Sequence, residues 1–354
     1  MAAILKEFDK TFDHRMLHTG QNSDDNLKDV FFDDFEIRKP DKQFNINGNS
    51  VGESLSKLFL LMDEEFRENR PDAVVILGDT NSALSGILAK RLKIPFYHLE
   101  AGLRSFDKNV PEEINRRIID HTADFNLVYT EHARRNLISE GLHPRTIALV
   151  GSPLTEIISQ SFPKIEKSKI LQKLSLTKDK FYLASAHRQE NVDDPERLTA
   201  LINSLEKLSE MSSLPIIFST HPRTKDKLKT LGLTQNSNIK FLDPFGFNDY
   251  CKLQLSARVV LSDSGSVSEE AAMLNFKAIT LRDSMERPEA LESGSISMSG
   301  INSDRLLELI SYVEAQPLAT NHPIEYAIAD TSARVVKFIY STIDEYEFWF
   351  GIRR

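Results

Sequence analysis

A chain of 354 residues exceeds the usual reach of one hydrophobic core and points to two α/β domains with a cleft between them, although length alone does not separate that from one large barrel. Its composition, 40% hydrophobic and 27% charged, is that of an ordinary soluble protein. The net charge of −8 and pI near 5.7 argue against a nucleic-acid partner while leaving room for a small phosphate-binding pocket. Cys251 is the sole cysteine, which excludes an internal disulfide and a thiolate zinc cluster. No stretch reads as a signal peptide or a membrane span, so a cytoplasmic protein with no membrane partner is expected.

The opening MAAILKEFDKTFD has helical spacing at Ile4, Leu5 and Phe8 but no cap before it, as if the chain started inside a helix. DAVVILGDTNSALSGILAKRLKIPFYHLEAG then reads as a strand, a Gly-Asp-Thr turn, a helix through about Arg91 and a second strand, which is one βαβ unit. Uninterrupted apolar runs such as Val74 to Leu77 suit strands covered on both faces, the habit of parallel sheets. Further strands are predicted at FNLVYT, IALVG, FYLASAH, LPIIFSTH, IKFLDP, ARVVLSDSG and FKAITLRD. Between Gly151 and Phe181 the strand pattern lapses, and the inter-domain connection belongs near its beginning. Leu198, Leu201, Ile202, Leu205 and Leu208 mark one face of a helix that Asp194 can cap. In the tail, Val335, Val336, Ile339, Ile343, Tyr346 and Phe350 form a helical stripe that must lie against something, with the first domain as the candidate.

In parallel sheets, function gathers at the carboxyl ends of the strands, and there the polar residues collect. Asp79, Glu100, His187, His221, Asp263 and Ser264 each follow an apolar strand. Singly, such residues are most often turn formers or helix caps; their joint appearance suggests one cleft. Ser264, Gly265 and Ser266 would present backbone N–H groups where a helix begins, with a glycine that admits close approach, which suits a diphosphate. Glu270, one turn on, could reach a ribose diol, and Glu269 favours the helix N-terminus. Arg223, Arg282 and Arg287 offer guanidinium forks for phosphate. Proton abstraction and return require carboxylates with separated pKa values, for which Asp79, Glu100 and Glu112 are candidates beside His187. His18, His98, His187 and His221 lack metal-ligand spacing, so no metal is expected, and neither a Walker loop nor G-x-G-x-x-G occurs.

Taken in order, LGDTNSA, HLEAGLRSFD, VPEEINRRIIDH, SAHRQENVD, STHPRT, LSDSGSVSEE and ERPEA resemble the non-hydrolysing UDP-N-acetylglucosamine 2-epimerase family along nearly the whole chain. HTGQNSDDNLKDVFFDDFEIRKPD and GFNDYCKLQLSARVVLSDSG are similar to its capsule and O-antigen subgroup, which acts on 6-deoxy or diacetamido sugars in pathways such as UDP-N-acetyl-L-fucosamine synthesis. Asn commonly stands in that subgroup where this chain has Leu103.

The resemblance implies an α/β, GT-B-like fold of two Rossmann-like, doubly wound domains, at 1–154 and 155–330. A C-terminal helix at 331–354 is expected to return to the N-terminal domain. It also implies a homodimer, a UDP-sugar substrate and inversion at C2 through elimination and re-addition of UDP, with no cofactor needed. By motif position, Asp79, Glu100, Glu112 and His187 match the family's acid/base residues. Ser264, Gly265 and Glu270 match its UDP contacts, with Arg287 and His221 near the phosphates and Phe247 at the uracil edge. Met1 aligns inside the helix that follows the family's first strand and its Thr-Arg-Pro-Glu turn, so the first sheet is expected to lack that strand. Two other readings stand beside this one: a nucleotide-sugar-binding paralogue with impaired catalysis, and a GT-B glycosyltransferase.

Overall fold

The computed structural model of the protein describes residues 1–21, 32, 34–234, 238–301 and 303–353, so much of the HTGQNSDDNLKDVF motif lies outside the described residues. The chain divides into two units, Met1–Ile157 with Glu325–Arg354, and Ile158–Ile324.

The first unit opens with α1 (Ala2–Thr11), which has no side-chain cap and buries Ile4, Leu5 and Phe8. Strands β1 (Leu17–His18) and β2 (Lys42–Gln43) form a short parallel pair that no hydrophobic run announces. In α2 (Val51–Glu68), the Ser50 hydroxyl accepts the Glu53 N–H at 3.1 Å and the Glu53 carboxylate accepts the Asn49 N–H at 2.8 Å, so each satisfies a donor that the helix start leaves open. There follow β3 (Val74–Leu77), α3 (Gly86–Arg91), β4 (Phe96–Leu99), α4 (Pro111–Thr122), β5 (Phe125–Val128), α5 (Glu131–Ser139) and β6 (Ile147–Leu149). Their strands make a parallel sheet in the order β3-β4-β5-β6. Every residue of β4 and β5 is buried, as expected of strands covered on both faces. His98 and Asn126 break that apolar rule, and both are hydrogen-bonded. Helix α6 (Pro153–Lys167) carries the chain into the second unit.

The second unit comprises α7 (Ile170–Lys173), β7 (Tyr182–Ser185), α8 (Gln189–Val192), α9 (Pro195–Ser212), β8 (Ile216–Ser219), α10 (Pro222–Thr230) and β9 (Ile239–Leu242). It continues with α11 (Phe247–Ser256), β10 (Val260–Ser262), α12 (Val267–Leu274), β11 (Ala278–Thr280), α13 (Pro288–Glu292), β12 (Ser297–Met298) and α14 (Ser303–Ala315). Asp194 caps α9 by accepting the Glu196 and Arg197 N–H groups, and the five apolar residues read from the sequence are buried. The six strands are parallel, in the order β12-β11-β10-β7-β8-β9. The chain winds outward from β7 to β9, then returns to the other side of β7 as β10. That reversal opens a crevice at the carboxyl ends of β7 and β10, the place where doubly wound sheets bind ligands.

The tail, α15 (Thr331–Thr342) and α16 (Tyr346–Phe350), returns to the first unit. Val335, Val336, Ile339 and Tyr346 join Ile4, Phe8, Tyr97, Leu99 and Phe125 in one core. The Phe125 ring stacks on Tyr97 at 4.8 Å and meets Phe338 and Phe350 edge-on at 5.6 and 5.5 Å. The Tyr97 and Thr342 hydroxyls lie 2.9 Å apart, which satisfies the phenol inside that core.

Candidate active site

At the crevice of the second unit, β10 ends in Asp263-Ser264-Gly265-Ser266 and α12 begins at Val267. The Ser266 side chain makes no capping bond to the helix, leaving first-turn N–H groups for another acceptor. Gly265 is ringed by cations. A Cβ placed there would lie 3.2 Å from Arg287 Nη1, 3.4 Å from Arg188 Nη2 and 4.0 Å from Arg282 Nη1. Two of these guanidinium groups are buried and matched by carboxylates: Arg282 binds Glu286 through two bonds of 2.6 and 2.8 Å, and Arg287 Nε lies 2.8 Å from Glu269 Oε2. Arg188 Nε is buried with no hydrogen-bond partner among the described residues.

Buried Glu270 accepts a bond of 2.5 Å from Gln254 Nε2. Burial pushes its carboxyl above the ordinary range, against the opposing hydrogen bonds from Gln254 and Ser266. Asp263, with no exposed surface, accepts the His187 and Arg188 N–H groups at 3.0 Å and Asn191 Nδ2 at 3.1 Å. Burial alone would raise its pKa; the His187 contact and these N–H groups outweigh burial and hold it below the ordinary range. His187 Nδ1 lies 3.1 Å from Asp263 Oδ1, which fixes the ring and turns Nε2 to the opposite side.

In the first unit, two turns follow adjacent strands. Gly78 and Gly102 adopt φ +81°, a left-handed conformation that glycine enters without strain, and Glu100 adopts φ +67°. Non-glycine residues hold that conformation at a cost of about 1 kcal/mol or more, and such strain clusters at functional sites. The Glu100 carboxylate oxygen would lie 3.5 Å from a Cβ at Gly78, so it stands over the turn that leads to Asp79. Asp79 Oδ2 accepts from Arg116 Nε at 2.8 Å, and the Asp79 carbonyl accepts from Asn115 Nδ2 at 2.9 Å. Pro111 occupies the first position of α4, as the sequence suggests, and half-buried Glu112 follows in its first turn. Neighbouring Glu113 serves the local fold, its carboxylate accepting the Ser105 N–H at 2.9 Å.

The sequence profile of UDP-N-acetylglucosamine 2-epimerase matches residues 6–340. The chain belongs to the UDP-N-acetylglucosamine 2-epimerase family. A solved UDP-N-acetylglucosamine 2-epimerase from Rickettsia bellii is 42% identical, with a TM-score of 0.91 over 99% of this chain and 95% of that one. The Methanocaldococcus jannaschii UDP-GlcNAc 2-epimerase, solved in complex with UDP-GlcNAc and UDP, is 34% identical, with a TM-score of 0.89 over 96% of this chain and 95% of that one. A curated UDP-N-acetylglucosamine 2-epimerase from the same archaeon is 36% identical over 88% of this chain and 87% of its own length. With these neighbours, the fold is the α/β, GT-B-like class of two Rossmann-like units.

Within this epimerase fold, Ser264, Gly265, Ser266, Arg282 and Arg287 gather at one turn, with Glu270 in the helix behind it. His187 stands at the neighbouring strand end, its ring 5.9 Å from that of His221. His221 caps α10, its Nδ1 accepting the Arg223 N–H at 3.3 Å. Arg223 is not among the guanidinium groups around Gly265; it pairs with Asp193 near the surface. Phe247 is half-buried at the first position of α11. Sequence reasoning passed over Arg188, whose signal is its place directly after His187 at the end of β7. It also passed over Arg116, whose signal is its spacing one turn after Glu112. No group of three His, Cys, Asp or Glu side chains among the described residues could hold a metal ion. No helix among them is long and apolar enough to cross a membrane.

Proposed function

We propose that the protein is a non-hydrolysing epimerase that inverts C2 of a UDP-N-acetylhexosamine, with UDP-GlcNAc and UDP-ManNAc as the interconverted pair. The observation that carries this reading is the ring of three guanidinium groups about Gly265 at the helix start, a receptor for a leaving diphosphate. The Ser264–Ser266 turn with Arg188, Arg282 and Arg287 holds the diphosphate, and His221 stands nearby. Glu270 accepts from the ribose diol and Phe247 borders the uracil.

The C2–H bond breaks and its electrons form the C1=C2 double bond. The C1–O bond to UDP breaks with its electrons going to the phosphate oxygen, giving UDP and 2-acetamidoglucal. Re-addition of UDP, with a proton delivered to the opposite face of C2, completes the inversion. Asp79, Glu100, Glu112 and His187 supply the acid and base groups for the two faces. Net redox change is zero, so the scheme calls for no oxidant. In the same reading the enzyme is cytoplasmic and serves capsule or O-antigen polysaccharide synthesis. It acts as a homodimer, a role that exposed Ile114 and Ile118 on α4 and nearby Phe106 would suit.

The test is incubation with UDP-GlcNAc in D2O, followed by proton NMR. Loss of the H2 signal and growth of the UDP-ManNAc anomeric signal are expected. A panel with 6-deoxy and diacetamido analogues ranks the sugars. Absence of C2 exchange with all of them, in protein that binds UDP, refutes the reading in favour of a silent nucleotide-sugar-binding protein. UDP release that requires an added acceptor would instead mark a glycosyltransferase.

A further inference from the structure

Helix α4 carries Glu112, Arg116 and Asp120 one turn apart, on one face. Arg116 holds the Asp79 carboxylate, and Asn115 beside it holds the Asp79 carbonyl. Asp120, one turn further, is wholly buried, and its carboxylate makes three bonds. Its Oδ1 accepts from His98 Nδ1 at 2.7 Å, while its Oδ2 accepts the Gly102 N–H at 3.1 Å and Arg104 Nη1 at 2.7 Å. On the other side of the ring, His98 Nε2 donates to the Gly78 carbonyl at 2.9 Å. Both ring nitrogens thus face acceptors with no proton to give, an arrangement that favours the protonated ring. Arg104, also buried, ends in a two-bond pair with Glu140 at 2.8 and 2.7 Å.

Burying such a charged relay is costly, and well-packed apolar residues would serve stability as well or better. Its backbone anchors show what it holds in place. Gly78 immediately precedes Asp79, and Gly102 lies two residues after Glu100; both glycines sit at φ +81°, with Glu100 itself left-handed. A loose sheet end would let these turns relax out of that conformation. Burial alone would push the His98 imidazole down, but Asp120 outweighs it and holds it above the usual range; Asp120 is correspondingly held below its own, against burial, by His98 and Arg104.

We propose that His98, Asp120 and Arg104 are positioning residues, which register the Asp79 and Glu100 turns against the helix that bears Glu112 so that the three carboxylates are set for proton transfer at C2. This rests on the epimerase reading. Two variants test it: Asp120→Asn, which keeps the size and removes the charge, and His98→Gln, which keeps a donor toward Gly78 but gives up the ion pair. The measurements are kcat and KM for C2 exchange of UDP-GlcNAc in D2O, UDP affinity by calorimetry, and the thermal midpoint.

Misplacing reacting groups by about 1 Å costs on the order of 100-fold, so kcat of Asp120→Asn should fall about 100-fold and that of His98→Gln about 10-fold. KM and UDP affinity should stay within about threefold, because the relay does not touch the nucleotide turn. Unchanged kcat in either folded variant overturns the proposal. So does a parallel loss of kcat and UDP affinity, the mark of a merely structural role. If Asp120→Asn does not fold, His98→Gln decides by the same readings. A parent protein that binds UDP but exchanges no C2 proton is a different outcome: it removes the epimerase reading and this inference with it.

Discussion

Replacing Gly265 with alanine puts one methyl group into the centre of the guanidinium ring. The backbone there is outside the left-handed region, so alanine is allowed, and the nearest atoms are three arginine nitrogens at 3.2, 3.4 and 4.0 Å. Arg287 is anchored by Glu269 and yields little, but these are side-chain tips, so the folding cost sits at the low end of overpacking, about 1 kcal/mol. A diphosphate has no such latitude, since its oxygens must come within hydrogen-bond distance of the same amides and guanidinium groups. A methyl group that holds it off by about 1 Å breaks two charge-assisted bonds of roughly 1.5 kcal/mol each, or about 3 kcal/mol and roughly 150-fold in Kd. Calorimetry with UDP measures this, with uridine as the control. UDP should weaken by that factor while uridine is unaffected, and the thermal midpoint should move by no more than about 4 °C. A folded Gly265→Ala protein that binds UDP within about threefold of the parent would refute the assignment of the diphosphate to this turn.

Glu270→Gln separates stability from binding. Because burial raises the Glu270 carboxyl, the folded state holds its proton more tightly than the unfolded chain does, and stability is lost as pH rises from the unfolded value near about 4.3 through the folded one. The variant, which cannot ionise, should therefore melt higher than the parent at pH 8 by a margin that vanishes near about pH 4, while binding UDP more weakly; a lower melting point at pH 8 contradicts the buried-carboxylate account. Phe125→Ala removes the ring against which Tyr97, Phe338 and Phe350 pack, and urea unfolding of the first unit should show a loss of about 3–5 kcal/mol. A loss under about 1.5 kcal/mol would mean that the returning tail is not part of that core.

What the sequence revealed, and what it concealed, follows from the range of the forces involved. Strands such as FNLV and IIFS were legible because both faces are covered, and uninterrupted apolar runs are a local signal. The α9 stripe and its Asp194 cap were legible for the same reason. Strands β1, β2 and β12 are two residues each, and their pairing is set by neighbours far away in the chain. Among site residues, Ser264 to Ser266 and Glu270 stood out because a turn and a helix start have their own grammar. Arg188 and Arg116 did not, since their partners lie 77 and 37 residues away and no spacing rule connects them. His98 shows the same limit from the other side. Within FYHL it reads as an oddity in an apolar strand, and only the Asp120 carboxylate and the Gly78 carbonyl explain it.

The bulk charge carries a related lesson. A protein of net charge −8 concentrates three guanidinium groups around one glycine, and the reason this leaves no trace in the composition is that two of them are already balanced. Glu286 and Glu269 neutralise Arg282 and Arg287 within the second unit, which spares the fold the cost of unpaired buried cations. On the proposed reading, the favourable potential for an arriving diphosphate then comes from what is left: Arg188, with a buried Nε that has no partner among the described residues, and the amides that Ser266 leaves uncapped at the start of α12. Such a site is strong at contact and weak at a distance. UDP affinity should accordingly depend more on removal of Arg188 than on removal of Arg282, whose charge is already matched by the two bonds to Glu286.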